Sequence, residues 1–310
     1  MLVLLALPLV LSVVLGRVAP AFARRHSPRP VAISLVGVSL ATALATGLVL
    51  CAVAVLALAE VPAIARVGHW SAASLHAHAG VPIALGCASA LLALVLIASS
   101  VWRVVCGIRQ FTKAARTCRE LDPAALTGGL VVLDDPRADA YAVPGRAGRV
   151  VITRGLLRRL DGAERRAVLV HEQSHLQHRH FLYVQLAELS ACADPLLRPV
   201  AEATRLAVER WADEDAARAV ADRRTVARAL AKAGLARSEA AVPIALAIAE
   251  TDLAVRVRSL VEPTRGARPR CAVTLLSCAG VVALAGAVCF GVNAHELFEA
   301  AQAVYSAHRG

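Results

Sequence analysis

Apolar and polar residues alternate along this chain in two different rhythms. In the first, uncharged runs are long enough to cross a hydrocarbon layer of about 30 Å. Val31 to Ala59, Val81 to Val101 and Cys271 to Asn293 carry no charged side chain. Met1 to Gly16 is also uncharged but shorter, with Pro8 in its middle. We read it as a further span, against a competing reading as a cleaved leader ending at Ala21-Phe22-Ala23. In the second rhythm, between Arg103 and Arg270, apolar residues come in short groups. Gly128-Gly129 opens a strand over Leu130 to Leu133, Ala138 to Val143 follows a turn at Asp134-Asp135-Pro136, and Arg149 to Thr153 follows Pro144-Gly145. These predict three short strands. Helical spacing resumes at Arg154 to Leu160. It begins again near Gly162, where Asp161 followed three residues later by Glu164 is a helix-start signal. Phe181 to Ala193 is apolar but too short for a fifth span and predicts a core or interface-lying helix. Pro199 opens another helix, Asp222 caps one ending at Gly234, and Val242 to Leu260 supplies the last before Pro263.

The expected architecture is therefore mainly α: a four-span helical membrane protein with an inserted α+β block carrying a small sheet. Residues 1–102 hold three spans (about 1–22, 31–59 and 81–102), 103–270 form the inserted domain, and 271–310 contain the last span (about 271–293) and a short tail. The composition agrees, with 57% hydrophobic residues and a mean hydropathy of +0.59, above what a soluble domain carries.

Charge orients the spans. Arg17, Arg24, Arg25 and Arg29 follow the first run, the loop Glu60 to Gly80 has only Arg66, and Arg103, Arg109, Lys113, Arg116 and Arg119 follow the third span. With Arg265, Arg268 and Arg270 before the last, the positive-inside rule puts the N-terminus outside and the inserted domain in the cytoplasm. The basic stretch from Arg103 to Leu121 is expected to lie along the anionic inner leaflet. Much of the net charge of +11 sits in these flanks, and the rest is interleaved with acids. Nucleic acid is therefore not an expected partner. The eight cysteines form no CxxC pair and read as small apolar packing residues.

One string carries chemistry by itself: His171-Glu172-Gln173-Ser174-His175 is HExxH. On a helix, residues four apart leave the same face, so both imidazoles can close on one metal ion, with Glu172 beside it. The plainer alternative is a pair of core or surface histidines. His178 and His180 are expected at the surface or supporting the ligands. Zinc held by two histidines needs a further protein ligand to leave a position for water. The candidate is Glu209, with Asp213 one turn later placed to fix a histidine tautomer; the bland reading pairs both acids with Arg205, Arg210 and Arg218. In the first case the zinc acidifies its water and polarises a carbonyl, and Glu172 shuttles the proton. His178, His180, Tyr183 and Arg205 are equal candidates for completing the oxyanion site.

From Leu130 to Ala217 the chain resembles the membrane-embedded zinc peptidases that group the beta-lactam antibiotic sensor proteases with the heat-shock and CAAX prenyl-protein proteases. The likeness rests on DDPRADAYAVPG (Asp134 to Gly145), VVITRGLL (Val150 to Leu157), AVLVHEQSH (Ala167 to His175) and ERWAD (Glu209 to Asp213). It implies a gluzincin-like domain with one zinc per chain on His171, His175 and Glu209, Glu172 as catalytic base, and Asp213 in support. It further implies that Ala138, Asp139, Ala140, Tyr141 and Ala142 form an edge strand that receives substrate through its main chain. The four-span plan is most similar to the antibiotic-sensor branch. That branch's large extracellular domain has no counterpart in Ala294 to Gly310, so ligand sensing is not carried over. His69, His76 and His78 in the outer loop are exposed histidines before they are a metal sensor. The function expected is a membrane zinc endopeptidase, in regulatory proteolysis or otherwise, whose partners are lipid and a polypeptide substrate. The alternative is a peptidase-like signalling or scaffold protein acting through a cytoplasmic partner, and a channel or transporter is disfavoured because the spans lack charged or broken segments.

Overall fold

A computed structural model of the protein describes residues 2–121, 126, 128–145, 148–238, 243–262 and 269–307. Pro263, Arg265 and Arg268, which enter the expectations above, lie outside the described residues.

The chain opens with helices α1 (Leu2–Arg25) and α2 (Pro28–Ala59), the short helices α3 (Pro62–Gly68) and α4 (Ala72–His78), and the long helix α5 (Ile83–Glu120). Three strands follow, β1 (Leu130–Leu133), β2 (Ala140–Val143) and β3 (Arg149–Thr153). Then come α6 (Arg154–Arg159), α7 (Gly162–Gln177), α8 (His180–Ala193), α9 (Arg198–Val220), α10 (Arg223–Ser238), α11 (Pro243–Val261) and α12 (Pro269–Ala307). Within α1, α2, α5 and α12 lie four stretches long and apolar enough to cross a membrane. The expected fold class is the observed one: a mainly helical membrane protein with a small sheet.

Small residues let the spans approach closely, as packing within lipid requires. Ala45, Val49 and Val53 of α2 bury against Ala283 and Ala287 of α12. α5 passes from its apolar to its basic half without a break, so the basic stretch continues the third span, as expected. Its C-terminal end supports the sheet, where Cys118 packs beneath Val131, Val143 and Val151. On the other side of the spans, Trp70 Nε1 donates to the Ala59 carbonyl at 2.8 Å, Ser71 N donates to the Ala301 carbonyl at 3.0 Å, and His76 Nδ1 lies 2.6 Å from Glu60. His69 packs edge-on against Tyr305 and His78 bonds within α4. His69, His76 and His78 thus have local partners and no shared focus.

The sheet has the order β1-β3-β2, with β1 parallel and β2 antiparallel to β3. β2 is therefore an edge strand. α7 starts on the capping box the sequence predicts: Asp161 accepts from Glu164 N at 2.8 Å and Glu164 accepts from Asp161 N at 3.0 Å. Glu164 is only 1% exposed, and Lys232 of α10 meets its carboxylate at 2.6 Å, tying the start of the motif helix to α10. α8 is a core helix, wedged among α2, α5 and α9. The deepest core forms where Leu15, Ala19, Phe22 and Ala23 of α1 meet Val31 and Leu35 of α2 and Val200, Ala207, Val208 and Trp211 of α9. Because α9 carries Glu209, the first two spans buttress the helix that completes the site.

Candidate metal centre and active site

α7 presents His171 and His175 on one face, as their spacing requires. Their Nε2 atoms lie 3.2 Å apart. α9 brings Glu209 to the same point, with its carboxylate oxygens 3.5 Å from His171 Nε2 and 3.6 Å from His175 Nε2. A tetrahedral zinc with bonds of about 2.0–2.1 Å needs donor atoms about 3.3 Å apart. The His171–His175 edge matches that figure and each imidazole has one of the two Glu209 oxygens near it, so this donor set fits such an ion. Among the described residues these three form the one group of histidine, cysteine and acidic side chains with converging ligand atoms.

Each ligand is held from behind. His171 Nδ1 donates to Asp213 Oδ1 at 3.0 Å, which leaves Nε2 as the ligand atom. His175 Nδ1 lies 3.0 Å from Nδ1 of His180. With His175 binding through Nε2, its Nδ1–H donates to a neutral His180. Burial first, and then the charges of His175 and His178, lower the pKa of His180 to about 3, which keeps that ring an acceptor. Asp213 is 1% exposed and takes a two-pronged bond from Arg256 of α11, Nε and Nη2 each at 2.8 Å. The third nitrogen of that guanidinium reaches Glu209 at 2.9 Å.

The electrostatics follow from this geometry. Burial raises the Glu209 and Asp213 carboxylates, but Arg256 and His171 outweigh it and hold both below their ordinary values. His171 is opposed by burial too, yet Asp213 and Glu209 lift its pKa to about 10. Burial dominates at His175 and lowers it to about 4.

Glu172 is buried at 8% exposure and lines two cavities that meet at the ligand triangle. One, of about 230 Å³, is walled by Ala140 and Tyr141 of β2, by Leu156, Ala167 and Val168, by Val226, Leu230 and Ala233 of α10, and by Arg256. The other, of about 280 Å³, is walled by Ala142, Pro144, Leu176, His180, Phe181 and Val184. β2 thus runs past the triangle from one cavity to the other. Ala138 and Asp139, which the sequence reading included in that strand, precede it.

Of the four oxyanion candidates, only His180 lines either cavity at the ligands. His178 bonds Asp215 at 3.0 Å and stacks on Trp211, Arg205 pairs with Glu188, and Tyr183 lies edge-on to Trp211. The bland pairing of Glu209 and Asp213 with their neighbours does not form. Arg205 goes to Glu188, Arg218 to Asp215, and Arg210 to the main-chain carbonyls of Ala23 and His26. Arg256 was not visible as a site residue in the sequence, because nothing in VRVRS separates a guanidinium bound for the site from one bound for solvent.

Residues 109–197 match the sequence profile described as Peptidase family M48. That range includes His171 to His175 and ends before Glu209. Three curated proteins named "Protease HtpX homolog" are similar over short stretches. That of Thermoplasma acidophilum is 49% identical over 47 residues, 15% of each chain. That of Aeropyrum pernix is 54% identical over 44 residues, 14% of each. That of Methanothermobacter thermautotrophicus is 41% identical over 58 residues, 19% of this chain and 22% of the relative. The matched stretches thus span less than a quarter of each relative. No solved structure matches the chain. Over residues 109–197 the chain is thus similar to peptidases of family M48, and the four apolar helices and the triangle of His171, His175 and Glu209 are in keeping with a membrane metallopeptidase.

Proposed function

We propose that the protein is an integral membrane zinc endopeptidase, with one zinc on His171, His175 and Glu209 and with Glu172 as its general base. The observation that carries this reading is the ligand triangle set against a buried glutamate in a cleft flanked by an edge strand. When bound, zinc supplies a Lewis acid that acidifies water and polarises a carbonyl. Glu172 then takes a proton from the attacking water and returns it to the leaving amine, a role worth about a hundred- to ten-thousandfold in rate. Asp213 and His180 hold the two imidazoles in the tautomers that bind through Nε2, and Arg256 keeps Asp213 and Glu209 charged and in place. An extended peptide adds to the outer edge of β2 through its main chain, which gives affinity with little sequence preference. The cavity lined by Leu156, Val168, Val226 and Leu230 takes an apolar side chain beside the scissile bond. The substrate is a polypeptide, in regulatory proteolysis or otherwise.

The charge pattern supports an outside N-terminus and a cytoplasmic peptidase block. Purified protein should cleave an unfolded protein substrate in a chelator-sensitive way, and Glu172→Gln should retain zinc while losing that cleavage. A Glu172→Gln protein as active as the wild type refutes the assignment.

A further inference from the structure

The turn between the first two spans carries a basic cavity. α1 ends at Arg25 and α2 starts at Pro28. Both are long and apolar enough to cross a membrane, so the turn that joins them stands at a membrane face whichever way the chain is oriented. α9 and α10 supply the opposite wall of a space of about 340 Å³. Five arginines line it: Arg25 and Arg29 beside the turn, Arg210 and Arg218 of α9, and Arg223 of α10. Glu214 is the acidic side chain in its wall.

Pairing divides these arginines into two kinds. Arg223 closes a two-pronged bond on Glu214 at 2.6 and 2.8 Å, and Arg218 meets Asp215 at 2.6 Å. Those charges are matched. Among the described residues, Arg25, Arg29 and Arg210 pair with no carboxylate. Arg25 is exposed, and Arg29 rests on the ring of Trp211, 5.3 Å from its centroid. Arg210 is only 3% exposed. Its Nη1 donates to the carbonyls of Ala23 and His26, but its Nε is buried without a partner, and so is Nδ1 of His26. A buried guanidinium bonded only to neutral carbonyls has lost its hydration without gaining an opposite charge, which is costly unless an anion meets it.

We propose that this cavity binds a phosphate group, held by Arg210 together with Arg25 and Arg29. A guanidinium suits a tetrahedral oxyanion because its planar fork offers paired N–H donors. Glu214 does not oppose the ligand, since Arg223 already takes both of its oxygens. The place of the cavity, where two spans leave the apolar layer, favours a phosphate carried by an anionic phospholipid over a free one. Three unmatched arginines likewise favour a headgroup with net negative charge over a zwitterionic one, whose ammonium they repel. The pocket backs onto the metal centre: Arg210 follows Glu209 in α9, and Trp211 stacks on His178 and lies against His180. Binding needs neither zinc nor turnover, so it stands apart from the peptidase reading.

The test uses the full chain, stripped of lipid in a neutral detergent, with Trp70→Phe and Trp102→Phe leaving Trp211 as the sole tryptophan of three. Phosphatidylglycerol should change the Trp211 emission saturably, with one lipid per chain by native mass spectrometry, and phosphatidylethanolamine with the same acyl chains should bind more weakly. Arg25→Gln with Arg29→Gln should weaken phosphatidylglycerol binding by about 30-fold. The charge-matched pair Arg109→Gln with Arg116→Gln, at exposed positions of α5, should leave it unchanged. The pair beside the turn is preferred to Arg210, whose removal also breaks its bonds to the end of the first span. Inorganic phosphate separates the two sources. If the headgroup is the ligand, phosphate displaces the lipid only at millimolar concentration. Phosphate that moves the Trp211 emission at lower concentration than the lipid, with the same loss in the Arg25 and Arg29 variant, upholds the site and assigns it to the free ion. Equal weakening by the two arginine pairs, or no saturable binding of either probe, overturns the proposal. So does an oligoglutamate peptide that occupies these arginines where neither phosphate probe binds.

Discussion

At the residue scale, the site is a chain of dependence running outward from two imidazoles. Asp213 fixes His171, and Arg256 fixes Asp213 and Glu209 together. Arg256→Lys keeps the charge but loses the planar fork that serves two carboxylates at once. Zinc affinity should fall by about 10- to 100-fold, read by competition with a metal-binding dye, while the protein stays folded. Glu209→Ala should reduce bound zinc well below one per chain by elemental analysis, where Glu172→Gln leaves it unchanged. The raised pKa of His171 makes a pH prediction. Because it lies at about 10 in the metal-free site, above the value of about 6.5 in an unfolded chain, its stabilising effect is complete below pH 6.5. That effect is lost as the pH climbs through 10. Zinc needs the neutral ring. Uptake at pH 7 should therefore release about one proton per ion and strengthen as pH rises, measurable by calorimetry in two buffers of different ionisation enthalpy. Uptake without proton release contradicts this arrangement of charge.

At the scale of elements, α7 was legible from its start through the HExxH motif. Its capping box, its same-face histidines and the turn before it are local facts, set by residues within a few positions of one another. The same holds for the three strands and for the start of α9 at Pro199. What could not be read was the company each element keeps. Glu164 looks like an ordinary cap in sequence, yet it is buried beneath Lys232 and Arg228. Glu164→Ala therefore removes a cap and strands a cation, and should lower stability by about 1–2 kcal/mol or somewhat more, seen as a lower thermal midpoint in detergent. α8 carries the same lesson. Its length excluded a fifth span, but only the tertiary structure shows that it packs among α2, α5 and α9.

At the scale of the whole molecule, the membrane bundle and the peptidase block share one core, since α1 and α2 pack on the helix that supplies Glu209. Binding of zinc to the folded chain alone should stabilise it by about 2.7 kcal/mol at a hundredfold excess over Kd. Chelation should thus lower the thermal midpoint of the whole protein in a single transition, and two separate transitions would argue against a shared core. The sequence by itself determined the spans, the order of strands and helices, and the His171–Glu172–His175 constellation. Each of these rests on periodicity or on spacing within one element. Tertiary structure alone decided that Glu209 reaches the histidines and that Arg256 and His180 hold the ligands. Those are meetings of residues far apart in the chain, and no local pattern encodes where two buried faces will join.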